Sequence, residues 1–550
     1  MRRTILISLL FLLLLESSNA QTKNPTDKVN QLLEKYHAKN SPGLAVAIVK
    51  DGKIVYKKGV GLANLEYQIP ITSQTVFHIA SISKQFTLFS ILLLEQENKL
   101  SLDDDIRKYL PEMKDFGHKI TLRNLANHTS GIRDISNLMA LIGLGETETI
   151  SHQKSVELIT QQTDLNFIPG NQFEYSNSGY ILLAEIVQRV SKQSFADFTK
   201  ERIFKPLKME HSFFLSNTEN IIKNHAYSYY KVENTYYKNT LNCSFFGSTG
   251  LITSVEDLSL WVINFDKKTI GNETIFNKMQ QKSHLNNGEE ISYALGQELK
   301  EYKGWSCIFH GGGIASYRSY LLRIPEANFA VIVESNDANF NPLDIVFEIV
   351  DFYLKNKTQT PATTKAVIDT SKFQSYIGDY EVFPGMMVSI TEENQKLFLQ
   401  IKGDTNKVAL PATNTFEFTY PLRPHSKIVF PKDTKCDGFK WHFSDFVYNG
   451  KRVHLKPFDA TTINLSELTG LYYNSELNTT YKMIIKDNAL VATNDLNDNI
   501  TLTPLQQDVF TSFTNYFGKV EVIRNEEGTV ISLSVSGQGF KNMIFDKKHK

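Results

Sequence analysis

The chain has 550 residues, with 59 Lys and Arg against 59 Asp and Glu, so its formal net charge is zero. Hydrophobic residues make up 41% and charged residues 21%, a globular balance that excludes wholesale disorder, and the lack of a basic excess argues against a nucleic-acid partner. At about 150 residues per domain the length allows two to four domains, and three cysteines are too few to staple it, so the core must come from ordinary apolar burial.

Met1-Arg2-Arg3, an apolar run from Ile5 to Leu15 broken only by Ser8, and the small residues Ser18 and Ala20 read as a signal peptide over 1–20. The run is too short to span a bilayer comfortably, so cleavage before Gln21 and a secreted or periplasmic location are expected. An uncleaved N-terminal anchor is the alternative. No cysteine follows the cleavage site, which argues against a lipoprotein. No later segment reaches the ~18 apolar residues of a membrane helix, so no transmembrane helix is expected after cleavage.

Residues 26–39 predict an amphipathic helix with Val29, Leu32, Leu33 and Tyr36 at helical spacing. Residues 43–49 and 54–56, joined through Asp51-Gly52, predict a β-hairpin. A long, mostly helical middle follows. Strand signal returns near residue 290, with a second hairpin of 316–324 and 329–334 around Pro325-Glu326-Ala327-Asn328, then a helix within 341–355. Strands at both ends, with helices between and outside them, predict an α+β fold for 21–355: an antiparallel sheet built from distant segments and flanked by helices.

Residues 356–369 are polar, contain Pro361 and read as a linker. The remainder, 370–550, reads as all-β. Within it Gly378-Asp379-Tyr380, Asn394-Gln395-Lys396-Leu397 and Lys427-Ile428-Val429-Phe430 match Gly470-Leu471-Tyr472, Asp487-Asn488-Ala489-Leu490 and Lys519-Val520-Glu521-Val522, each about 92 residues later. These matches predict two repeats, 370–460 and 461–550, closing as a duplicated barrel or packing as a sandwich. Chance likeness between β-rich segments is the alternative. Residues to about 360 read as self-sufficient, so a chain cut there is expected to fold.

Cys243, Cys307 and Cys436 lack metal-ligand spacing and read as buried thiols, with at most one disulfide. G-x-S-x-G, G-x-x-x-x-G-K and H-E-x-x-H are all missing. No metal and no cofactor is expected.

Three groups could carry chemistry. Ser81-Ile82-Ser83-Lys84 opens a long apolar helix, and i, i+3 spacing puts Ser81 and Lys84 on one face. A serine hydroxyl needs a neighbour to take its proton, and a partly desolvated Lys84 suits that task. Ser151-His152-Gln153-Lys154 has the same form, but its polar surroundings read as a helix cap. Tyr175-Ser176-Asn177 precedes a helix beginning near Ser178; Y-x-N recurs at Tyr237 and Tyr472, so it means little alone. His310-Gly311-Gly312-Gly313 leads into a strand, and its glycines would let a substrate lie along a strand edge.

In that order, Ser81-x-x-Lys84, Tyr175-x-Asn177 and His310-x-Gly312 resemble the serine β-lactamase and penicillin-binding peptidase superfamily. The likeness is to the branch of class C β-lactamases, D-alanyl-D-alanine carboxypeptidases, D-amino-acid peptidases and esterases. Residues 120–132 and 250–258 are similar to two further segments of that branch. The resemblance covers roughly 26–355 and implies an all-helical lobe beside the sheet, with the site between them.

For the site, the resemblance implies Ser81 as nucleophile, with Lys84 and Tyr175 sharing the base role; a nearby ammonium is expected to favour the tyrosinate. Asn177 is expected to bind Lys84 or the substrate amide. The backbone N–H groups of Ser81 and Gly313 are expected to form the oxyanion hole. His310, where many relatives carry lysine, is expected to donate to Tyr175 or act as a weak cation. The implied function is a secreted serine hydrolase acting on amide bonds of D-amino-acid or cell-wall-type peptides, with a small-molecule or peptide substrate. A carboxylesterase and a retired binding protein on the same scaffold are the alternatives. Gly311 replaces the hydroxyl residue that lactamases commonly use to hold the substrate carboxylate, which argues against efficient β-lactam hydrolysis. The C-terminal region resembles the lipocalin-like tails of some related peptidases, which suggest a role in substrate access or assembly.

Overall fold

A computed structural model of the chain describes residues 24–36, 40–145, 148, 150–357, 368–423, 426–432, 436–443, 446–456 and 458–548. The expected signal segment 1–20 and most of the expected 356–369 linker lie outside them.

Helix α1 (Pro25–Glu34) starts on Asn24, whose side chain accepts from Thr26 N–H, with proline at its first turn. Strands β1 (Leu44–Lys50) and β2 (Lys53–Val60) form the first predicted hairpin. Asp51 and Gly52 both take positive φ, 50° and 68°, the primed turn that suits strand twist. Helix α2 (Ser83–Gln96) is buried from Ser83 to Leu94. Helices α3 (Ile135–Leu141), α4 (Asn177–Ser191) and α5 (Val255–Lys267) complete the framework of the helical lobe used below. Strands β3 (Glu298–Tyr302), β4 (Trp305–Ile314), β5 (Tyr317–Ile324) and β6 (Phe329–Ser335) precede helix α6 (Leu343–Tyr353).

The six strands form one antiparallel sheet in the order β3-β4-β5-β6-β1-β2. The two ends of the 21–355 region therefore meet in one layer, as the sequence predicts. Alternation then divides two cores. Leu44, Val46, Ile48, Val331 and Val333 face α1 and α6. Ala45, Ala47, Ala330 and Ile332 face the helical lobe, and the small alanines let helix backbones approach.

The C-terminal region is two meanders of eight strands each. In both, the first strand pairs with the second and the eighth. The second meander closes as a barrel; in the first, Lys407–Leu410 and Glu417–Thr419 are the two end strands and form no ladder with each other beyond an Ala412–Phe418 bridge, so the sheet remains open. All three sequence matches fall at equivalent places: the start of the first strand, the positive-φ turn between second and third, and the sixth strand. Tyr380 and Tyr472 each donate a hydroxyl to the carbonyl four residues earlier, Tyr376 and Leu468.

The barrel is not a loose appendage. Its buried Tyr481, Phe517 and Phe545 belong to one apolar cluster with the helical lobe, and Tyr481 Oη donates to Leu141 O at 2.8 Å. A cut at about 360 would open this core and strip the barrel partners from the buried Arg133, so the 1–360 unit shares its packing with the barrel. Cys243, Cys307 and Cys436 are buried, and none of them is joined in a disulfide. Among the described residues no helix is long and apolar enough to cross a membrane, and no three His, Cys, Asp or Glu side chains cluster to hold a metal.

The paired tyrosines make a stability test. Tyr472→Phe removes one buried hydrogen bond and should cost about 1 kcal/mol. Tyr380→Phe also strips Arg452 Nη2 of an acceptor 2.6 Å away and should cost about 2 kcal/mol. Calorimetric unfolding of the two variants should show this order.

Candidate active site

The segment that carries Ser81 is built under strain. Phe77–His78 pairs with Ile252–Thr253, and one turn of 3-10 helix, Ala80–Ile82, leads into α2. Ala80 sits at φ 49°, in the left-handed region, a conformation that costs about 1–3 kcal/mol. Neighbours hold it there: Ala80 N–H donates to His78 Nδ1 at 3.1 Å, and Ser319 Oγ donates to Ile79 O at 2.8 Å. Ser81 is left partly exposed, while Lys84, one turn on, is fully buried.

Lys84 Nζ meets Ser81 Oγ at 3.1 Å, Asn177 Oδ1 at 2.8 Å and the Ser248 carbonyl at 2.8 Å. Burial brings its pKa down to about 7, opposed by the charge of Asp134. A neutral amine donates two protons, and two of its three neighbours are pure acceptors. Its lone pair is thereby left for the Ser81 hydroxyl. Gly247 makes the Ser248 contact reachable: it has φ 96°, and a Cβ there would lie 2.3 Å from Tyr180 O.

Tyr175 Oη donates to Ser81 Oγ at 2.9 Å from the other side. Burial pushes Tyr175 well above its ordinary value, so it is a neutral phenol. This reverses the expectation that a nearby ammonium would favour the tyrosinate, because burial raises Tyr175 while bringing Lys84 down to about 7. Asn177 is the first residue of α4, and its backbone N–H donates to Asp134 Oδ2 at 2.6 Å.

His310, Gly311, Gly312 and Gly313 lie on β4. Strand β3 pairs with β4 only from Trp305 to Phe309, so 310–314 pairs with β5 and leaves its other edge free of β3. A Cβ on Gly312 would lie 2.4 Å from Ile79 O and 2.3 Å from Ser319 Oγ; one on Gly313 would meet only Arg318, 3.8 Å away. The absent side chain of Gly312 therefore admits the nucleophile segment rather than a substrate.

His310 is buried, its Nδ1 2.6 Å from Gly311 O and its Nε2 3.2 Å from Tyr293 Oη. Burial and the charge of Lys84 push it down to about 3, so it is neutral and not the weak cation expected. Its ring centroid lies 6.4 Å from that of Tyr175. The look-alikes lie elsewhere: Ser151 caps a helix by accepting from Lys154 N–H, Tyr237 is in a surface hairpin and Tyr472 is in the barrel.

Residues 29–346 match the Beta-lactamase family. The chain belongs to that family. It is a serine hydrolase of β-lactamase and penicillin-binding-protein type. It is 26% identical over 438 residues to penicillin-binding protein 4* of Bacillus subtilis, covering 75% of this chain and 95% of that one. It is 28% identical over 295 residues to a D-aminopeptidase of Gluconobacter oxydans, covering 54% of this chain and 56% of that one. The chain thus spans little more than half the D-aminopeptidase. An octameric penicillin-binding protein homologue from Pyrococcus abyssi shares the fold, with TM-score 0.56 and 24% identity over 77% of this chain and 99% of that one.

Within this Beta-lactamase-family site, sequence reasoning missed three side chains. Asp134 binds the Asn177 backbone and is the charge felt by Lys84. Tyr293 is the hydroxyl partner of His310. His128, at φ 60°, grips both flanks of Tyr175: its carbonyl accepts from Glu174 N–H at 3.0 Å, its Nδ1 accepts from Ser176 N–H at 3.2 Å, and its ring lies 4.3 Å from the phenol. His128 stands inside the family-like run 120–132 and was findable there; Asp134 and Tyr293 carry no local pattern.

Gly312→Ala should push the Ile79–Ala80 backbone and lower the rate of Ser81 acylation by about 100-fold while the protein stays folded. Labelling kinetics with a fluorophosphonate, beside circular dichroism, measure this.

Proposed function

We propose that this hydrolase is exported and cleaves amide bonds of D-amino-acid-containing, cell-wall-type peptides through an acyl-Ser81 intermediate. One observation carries the chemistry: the Lys84 amine and the Tyr175 hydroxyl both meet Ser81 Oγ, at 3.1 and 2.9 Å, beside a stretch of β4 that β3 leaves unpaired. The neutral Lys84 takes the Ser81 proton as Oγ forms its bond to the substrate carbonyl carbon. The backbone N–H groups of Ser81 and Gly313 receive the developing oxyanion, each such donor being worth about 3 kcal/mol in the transition state. Tyr175 relays the proton from Lys84 to the leaving nitrogen as the C–N bond breaks. Water, activated along the same path, then releases the acyl group and restores Ser81.

Asn177 orients Lys84, and the edge 310–314 offers main-chain hydrogen bonds to an extended substrate. The D-aminopeptidase likeness supports a D-residue substrate, and Gly311, without a hydroxyl, disfavours β-lactams. The signal-like segment 1–20 supports export.

Turnover of a D-Ala-D-Ala peptide, nitrocefin and a p-nitrophenyl ester, measured side by side with Ser81→Ala as control, tests the reading. The peptide should be cleaved, and Ser81→Ala should be inert and unlabelled by a fluorophosphonate. Ester turnover without peptide cleavage would make the enzyme a carboxylesterase, and undiminished labelling of Ser81→Ala would remove Ser81 from the mechanism.

The amine must be neutral to act. Below about pH 7 the acylation rate should therefore fall about tenfold per pH unit, and it should level off above. His310, at about 3, and His128, held well below its ordinary value, add nothing to this limb. A flat profile between pH 5.5 and 8.5 would exclude Lys84 as the base.

A further inference from the structure

The closed barrel touches the site through two adjoining residues, Arg133 and Asp134. Asp134 caps α3, with its carboxylate accepting from Ser136 N–H at 3.0 Å and from Asn177 N–H at 2.6 Å. Its own backbone N–H donates to the carbonyl of Gly539 at 2.7 Å. Gly539 lies in the turn between the last two barrel strands, Val530–Gly537 and Phe540–Lys548. The same carbonyl accepts from Asn166 Nδ2 at 2.9 Å, and that nitrogen also donates to Glu174, the residue before Tyr175. One barrel carbonyl thus ties down both residues, Asp134 and Asn166, that hold the Glu174–Asn177 segment on either side of Tyr175.

The fit leaves no slack. Gly539 has φ 78°, and a Cβ on it would lie 2.7 Å from Asp134 Cβ. Beside it Arg133, 1% exposed, is neutralised by the barrel: Nη1 donates to Glu476 Oε2 at 2.8 Å and Nη2 to Lys541 O at 3.1 Å. Glu476 also accepts from Thr163 N–H and Oγ–H, at 3.0 and 2.7 Å. A buried guanidinium whose carboxylate comes from the barrel keeps the turn seated, because separation would strand its charge.

We propose that the barrel turn at Gly539, locked by the Arg133–Glu476 pair, is a positioning element that holds Asp134, and through it Asn177 and Lys84, in the reactive arrangement around Ser81. The inference rests on the reading of Ser81 as nucleophile. It assigns the barrel a part in catalysis without a ligand of its own. Gly539 and Glu476 touch neither Ser81 nor Lys84; they act through Asp134.

The test compares fluorophosphonate labelling of Ser81 in the full chain, as a maximal rate and a half-saturating concentration, with melting temperature. Glu476→Gln and Gly539→Ala should lower the maximal rate tenfold or more and leave the half-saturating concentration within twofold. Tyr481→Phe loosens the same interface at Leu141, away from Asp134; it should lower the melting temperature but leave the maximal rate within twofold. Should Gly539→Ala fail to fold, the milder Glu476→Gln carries the comparison alone. The inference is overturned if Glu476→Gln labels at the parental rate, or if Tyr481→Phe slows labelling as much. An unlabelled parent chain would overturn the Ser81 reading instead, so the two failures are distinguishable.

Discussion

Burying an amine is the constraint on which the rest of this fold depends. Lys84 loses its hydration inside α2 and receives three hydrogen-bond partners, none of them a carboxylate. An unfolded chain holds its proton up to pH 10.5, whereas the folded chain releases it near 7. Folding stability is therefore lost as pH falls through that interval, and by neutrality the loss amounts to roughly 5 kcal/mol. The strained Ala80 adds to it. The surrounding packing offsets both, which accounts for the burial of α2 along its whole inner length and for the size of the apolar cluster around it.

Two remote segments reach that amine, through the Ser248 carbonyl and the Asn177 side chain, and a third, β4, packs against the backbone just before Ser81. Gly247 lets the Ser248 carbonyl reach the amine, Gly312 lets β4 lie against Ile79, and Asp134 fixes the start of α4. A rigid site follows, because each of these contacts is to backbone, which does not rotate away as a side chain does. Asp134 has its own backbone partner in the barrel, so the catalytic geometry continues into a part of the chain that shares no motif with it. The sheet supplies the rigid wall and the free edge, the helical lobe supplies the amine and the barrel bears on Asp134.

Much of this is legible in the sequence, and the boundary of legibility is physical. The two hairpins carry Asp51-Gly52 and Asn328 at positive-φ positions, and period-2 burial marks their strands, so local chemistry suffices. The repeat in the tail is legible because duplicated turns need the same backbone signs, as at Asn394-Gln395 and Asp487-Asn488. Ser81, Lys84, Tyr175 and Asn177 are joined by hydrogen bonds, and the order of their motifs carries information that no single motif does. What stays hidden depends on burial. The neutral states of Tyr175 and His310 follow from how much protein covers them, which spacing does not encode. The barrel contact at Gly539 joins residues some four hundred positions apart by a backbone carbonyl, and a carbonyl has no sequence identity.

The histidine in the third motif then has a reason. A lysine at 310 would add a second buried cation close to the first, and like charges disfavour each other's protonation. Lys84 would be driven further down and become a weaker base. A neutral imidazole, bonded to Gly311 and Tyr293, fills the same space and leaves the basicity of Lys84 to burial and to Asp134. The exchange removes a fixed positive charge from the cleft wall, so an anionic group on the substrate gains less there than it would beside lysine. Under the proposed function, recognition rests more on main-chain pairing along 310–314, which suits an uncharged amide in an extended peptide better than a compact bicyclic anion.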